Sequence, residues 1–164
     1  MKHTVDEQAD VPGVRTPMRT LFPSYRVSDL GRSLAFYTTL GYVCLGKVET
    51  DDAALAMLRF PGEPTVTLEL VHRPADGPVQ PGGCDHTAVQ VENLTETVAR
   101  LARDGLEIGP LEHPAGPDGP HTAFVSDPDG YRIELVQWPP GHPDGITEAD
   151  FPAEPHEPSV EATQ

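Results

Sequence analysis

The segment Leu68-Glu69-Leu70-Val71 returns as Ile133-Glu134-Leu135-Val136, and the echo belongs to a duplication that runs through most of the chain. Glu69 plus 65 gives Glu134. An offset of 64 pairs Tyr25 with Val89, Val27 with Val91, Leu30 with Leu94, Leu34 with Val98, Tyr37 with Leu101 and Gly41 with Gly105. The change from 64 to 65 marks a one-residue insertion. Each half is one supersecondary unit, too short to bury a core well alone. Two units related by a pseudo-two-fold axis bring equivalent positions together, so Glu69 and Glu134 are expected to converge.

The order of elements repeats as well. Residues 20–27 read as a strand. Ser28 and Asp29 are helix N-cap types, Leu30, Leu34 and Tyr37 follow at helical spacing, and Gly41 stands where a C-cap glycine belongs. Residues 42–48 and 55–60 read as strands. Thr65 to Leu70 alternates with period two, placing Val66, Leu68 and Leu70 on the core face and Glu69 opposite. In the second half, 85–91 reads as a strand. Asn93 with Glu96 resembles a capping box, Leu94, Val98 and Leu101 form the helix stripe, and Gly105 closes it. Residues 121–126 and 131–137 are strands around the turn Asp127-Pro128-Asp129-Gly130.

These signals divide the chain into a polar N-terminal tail (1–17), a folded domain (18–138) and a C-terminal tail (139–164). The domain holds modules at about 20–73 and 85–138, joined by the Pro/Gly-rich linker 74–84. From Pro139 onward the chain has six prolines, six acids and no Lys or Arg, so it buries little apolar surface to offset its ordering entropy.

Charge narrows the partners. The 164 residues carry a net charge of -15, with a pI of about 4.6. Nucleic acid and anionic membrane need clustered Lys and Arg, so both are excluded as expected partners. No run approaches a membrane span, and Met1 to Asp6 lacks the apolar stretch of a secretory signal. Cys44 and Cys84 stand in no metal or disulfide spacing, which fits a reducing cytoplasm.

Strand parity assembles a candidate site. His86, Ala88 and Gln90 face away from the helix side, toward the face from which Glu69 and Glu134 project. One imidazole and two carboxylates on a concave sheet are a plausible set for a divalent ion. Arg26 and its repeat mate Gln90 share that parity and are candidates for orienting a polar substrate. A simple hairpin at 127–130 pairs residues summing to 257, which puts His121 on the Glu134 face. A one-residue slip inverts that placement.

Two stretches resemble signatures of the vicinal oxygen chelate superfamily, which includes glyoxalase I, bleomycin-resistance proteins, extradiol dioxygenases and fosfomycin-resistance enzymes. Tyr25-Arg26-Val27-Ser28-Asp29-Leu30-Gly31-Arg32-Ser33-Leu34-Ala35-Phe36-Tyr37 is similar to its first strand and helix. Asp127-Pro128-Asp129-Gly130-Tyr131-Arg132-Ile133-Glu134-Leu135 is similar to its closing hairpin, above all in glyoxalase I. The resemblance implies an α+β fold of two βαβββ modules forming a curved, eight-stranded mixed sheet with a central groove, and a homodimer. It also implies four metal ligands, a His and a Glu from each module. Carried over, they fall on position 22, Glu69, His86 and Glu134, but position 22 is Phe22.

The resemblance thus implies a glyoxalase I-like lyase or isomerase on a small oxygen-chelating substrate. Zn, Ni or Co would be bound, Glu134 or Glu69 would act as base, and Phe22, Arg26, Gln90 and His121 would line the substrate. The alternative it implies is a metal-free small-molecule binding protein of the bleomycin-resistance type, which Phe22 and the acidity favour. Extradiol dioxygenases use two His and one Glu, a poor fit to His86 with two glutamates.

Overall fold

The computed structural model describes residues 19–142 and 144–151. The first module runs β1 (Ser24–Arg26), α1 (Leu30–Leu40), β2 (Val43–Glu49), β3 (Ala54–Arg59) and β4 (Leu68–His72). The second runs β5 (Thr87–Gln90), α2 (Leu94–Arg103), β6 (His121–Ser126) and β7 (Arg132–Gln137). The strands form two mixed sheets, ordered β1-β4-β3-β2 and β5-β7-β6. In each, the first strand lies parallel to the last. Ser24 pairs with Glu69 and Ala88 with Glu134, which reproduces the 64 and 65 offsets as spatial register.

The expected eight strands are seven among the described residues. Where the second module's counterpart of β2 belongs, only the isolated bridges Ile108–Val125 and Glu112–Thr122 form. Pro110, Pro114, Pro117 and Pro120 punctuate that stretch, and a proline cannot donate to a ladder.

Helix ends follow the local signals. The Asp29 side chain accepts from Arg32 N at 2.8 Å, and Gly41 closes α1 at φ 128°, a conformation an L side chain rarely adopts. The Asn93 side chain accepts from Glu96 N at 3.0 Å. Tyr37, Leu58 and Leu70 from the first half share one buried cluster with Leu94, Leu101, Ile133 and Leu135 from the second. Neither half therefore owns its core.

The two sequence signatures meet at the seam. The Tyr25 and Tyr131 rings stack at 4.4 Å, and the Tyr25 hydroxyl bonds the Thr87 hydroxyl. The Asp129 carboxylate accepts from the backbone N–H and hydroxyl of Ser28 just ahead of α1, and lies 3.6 Å from Arg32. Tyr37 donates to the buried Asp127 at 3.1 Å. The hairpin turn is thus a docking element for the first helix, besides reversing the chain.

Candidate functional site

Each sheet buries one face against its helix. The other, open face carries the candidate residues. Burial along β5 alternates, with Thr87 and Val89 partly buried and Ala88 and Gln90 exposed, so the expected parity holds. His86 precedes this strand, and its Nε2 lies 3.2 Å from Glu134 Oε2. Its Nδ1 lies 2.6 Å from Asp85 Oδ1. A carboxylate only accepts, so Nδ1–H donates to Asp85 and a neutral ring leaves Nε2 as a bare lone pair. The hydrogen bond from His86 holds the Asp85 carboxyl below its ordinary value.

The Glu134 oxygen can only accept, so its contact with Nε2 needs either a proton on that nitrogen or a cation between the two. Two N and O ligands about 2.1 Å from one ion, at tetrahedral to octahedral angles, sit roughly 3.0–3.4 Å apart. The observed 3.2 Å lies within that range. Donor types and spacing fit a divalent ion. Donor number in one chain does not, because among the described residues no three His, Cys, Asp or Glu side chains converge as ligands would.

Glu69 stands apart from the pair. It lies on the open face of the first sheet, where the Ser24 hydroxyl donates to its Oε2 at 2.5 Å. Phe22 occupies the position equivalent to His86, half-buried in a 230 Å³ cavity with Arg19, Thr20, Leu21, Thr65 and Val66. The expectation that Glu69, His86 and Glu134 share one cavity is therefore not met within a chain. Strand parity fixed the face of each residue, but each glutamate belongs to its own sheet.

His121 is corrected outright. It pairs with Gln137, and Glu134 pairs with Phe124, so opposed residues sum to 258 rather than 257. Tyr131 joins the turn because Asp127 Oδ1 accepts from the N–H groups of both Asp129 and Tyr131, while Asp127 N donates to Tyr131 O. His121 consequently shares the parity of the buried Ala123 and Val125 and packs edge-on against His113, 4.3 Å between ring centres. Phe124 takes the site-facing place. Its ring lies edge-on to His86 at 5.7 Å, and the Arg132 guanidinium rests 4.1 Å over it.

Arg26 and Gln90 lie on the expected faces, yet both are engaged by the chain itself. Arg26 donates to the carbonyls of Asp76 (2.9 Å) and Pro78 (2.7 Å) in the linker. Gln90 accepts from Trp138 Nε1 and Gly145 N, each at 3.0 Å, and donates to Asp144 at 2.6 Å. Asp85, Ser24, Phe124 and Trp138 were not singled out from sequence. The Ser24–Glu69 register follows from applying parity to β1, whereas Phe124 depended on the turn.

The superfamily profile described as glyoxalase/bleomycin resistance protein/dioxygenase matches residues 18–135. The chain belongs to that superfamily. It is 37% identical over 128 residues to the lactoylglutathione lyase of Salmonella typhimurium, covering 73% of this chain and 93% of that one. It is 35% identical to the lactoylglutathione lyase of Neisseria meningitidis serogroup A, covering 73% and 91%. Among solved structures, the trypanothione-dependent glyoxalase I of Leishmania major superposes with a TM-score of 0.60 at 32% identity, covering 74% of this chain and 87% of that one. Among the described residues no helix is long and apolar enough to cross a membrane.

Proposed function

We propose that the protein is a glyoxalase I-like lyase or isomerase acting on a small substrate with adjacent oxygens. Its site would be assembled from His86 and Glu134 of one copy and Glu69 of a second. The observation that carries this reading is His86 Nε2 facing a Glu134 carboxylate oxygen at 3.2 Å, at family ligand positions and on an open face. Among the described residues no third ligand converges on the pair, which argues for a second copy. So do Val43, Leu45 and Val48 on the edge strand β2, which are 39%, 51% and 49% exposed and leave apolar side chains available for association.

A divalent ion of the Zn, Ni or Co class, when bound, would polarise a substrate oxygen. The residues supply the rest. Asp85 fixes the His86 tautomer, and second-partner contacts of this kind orient ligating imidazoles. Glu134 is the base that takes a proton from the carbon beside the carbonyl. Ser24 holds Glu69 in place, and Phe22 leaves one ligand position empty and apolar. Phe22 is also what favours the second reading, a metal-free small-molecule binder.

Titration calorimetry of the wild type and Phe22→His with zinc, nickel and cobalt separates the two, with a hemithioacetal turnover assay on the same preparations. Binding by the wild type, tighter in Phe22→His, with turnover, is the expected result. If neither protein binds an ion while remaining folded, the face serves binding alone.

A further inference from the structure

The superfamily match ends at residue 135, yet the chain beyond it is built into the open face of the second sheet. Trp138 continues the parity of Glu134 and Val136, and its indole N–H reaches Gln90 Oε1 at 3.0 Å. Gly145 N donates to the same oxygen, and Asp144 accepts from the Gln90 amide. Every heavy polar atom of the Gln90 carboxamide is thus taken by this segment. Further contacts stiffen it. Trp138 stacks on His142 at 4.6 Å, His142 Nε2 lies 2.9 Å from Asp150, and Thr147 N donates to Asp150 at 2.7 Å.

These hydrogen bonds show where the segment lies. Gln90, Val136 and Thr122 form one cross-strand row on the open face. Val136 is 7% exposed and Thr122 2%, while Gln90 at the row's end stays exposed. The next row, Ala88–Glu134–Phe124, remains accessible. The first module repeats the arrangement. There the linker ties down Arg26, and Val71, the equivalent of Val136, is also 7% exposed.

We infer that Trp138, Asp144 and Gly145 latch a C-terminal strap onto Gln90, and that this strap walls one end of the His86–Glu134 site and limits ligand length. The wall stands one same-face row from Glu134. Two residues of strand are about 7 Å, so a ligand centred on the pair has only that reach toward the strap. Gln90 acts here as a positioning residue. The length limit rests on the functional reading above; the latch does not.

Trp138 is the chain's single tryptophan, so its fluorescence reports the latch directly. Gln90→Ala removes all three bonds from the sheet side, and Asp144→Ala removes one from the strap side. Expected for Gln90→Ala is red-shifted Trp138 emission, at least about twofold greater acrylamide quenching, and faster amide exchange at Gly145. Asp144→Ala should lie between it and the wild type. In the turnover assay, Gln90→Ala should raise kcat/KM for the glutathione hemithioacetal of phenylglyoxal relative to that of methylglyoxal by about tenfold. Equal Trp138 quenching in wild type and both variants overturns the latch. Released Trp138 with an unchanged substrate ratio overturns the length limit. Released Trp138 with no turnover by any protein upholds the latch and counts against the lyase reading.

Discussion

The two modules share a register and differ in the chemistry mounted on it. In the second, Glu134 faces an imidazole two residues before its strand partner Ala88. In the first, the imidazole position is Phe22, and Glu69 is instead satisfied by Ser24, its direct strand partner. Opposite the glutamates stand Met57 in one sheet and Phe124 in the other. A duplicated backbone therefore keeps a carboxylate in place by two different means. Only the second places it beside an imidazole nitrogen.

The hairpin turns offer the sharpest way to break the comparison, with the largest expected effect. Asp127 accepts three hydrogen bonds from a buried position, and that burial pushes its carboxyl above the ordinary value. In the β3–β4 turn, Glu63 accepts from Phe60 N and the Thr67 hydroxyl at a partly exposed position. Asp127→Ala should cost about 3 kcal/mol, and Glu63→Ala roughly 1 kcal/mol, in denaturant unfolding. Equal losses would mean that the seam contact with Tyr37 contributes nothing.

The unequal glutamate partners come next. His86→Ala should weaken divalent-ion binding by roughly 100-fold, and Ser24→Ala by only about tenfold, as for loss of an outer partner. Calorimetry ranks them, and a reversed order would make the first module the principal metal holder.

A smaller effect tests the seam. Burial pushes the Tyr25 hydroxyl from 10.0 up to about 12. An acid whose folded value is raised contributes stability that is complete below its unfolded value and is lost as pH rises through the folded one. Stability should therefore fall between pH 10 and about 12. Tyr25→Phe should flatten that decline in alkaline melts, at a cost of about 1 kcal/mol at neutral pH. An unflattened decline would assign the alkaline loss to other groups.

The legible parts of the molecule were those set by local periodicity. Leu30, Leu34 and Tyr37 marked α1, Asn93 marked the start of α2, and the alternation of Ala88 and Gln90 along β5 matches the expected parity. The His121 placement failed because Tyr131 belongs to the turn, a fact fixed by hydrogen bonds to Asp127 rather than by turn composition. The eighth strand was inferred from the repeat and lost to prolines. The link from Gln90 to Asp144 and Gly145 was hidden because amide hydrogen bonds, not apolar periodicity, hold it. How two open faces combine is not encoded in strand parity at all.

That combination is the central claim, and subunit complementation tests it most directly. Glu69→Ala chains and His86→Ala chains are each expected to be inactive alone and defective in ion binding. Mixed, unfolded together and refolded, they should pair at random, and half the dimers would carry both lesions in one shared site and neither in the other. About a quarter of the wild-type site number should return, in turnover and in bound metal alike. No recovery from a mixture shown by sedimentation to contain dimers would place Glu69 and His86 in sites that never meet, and would contradict the shared site.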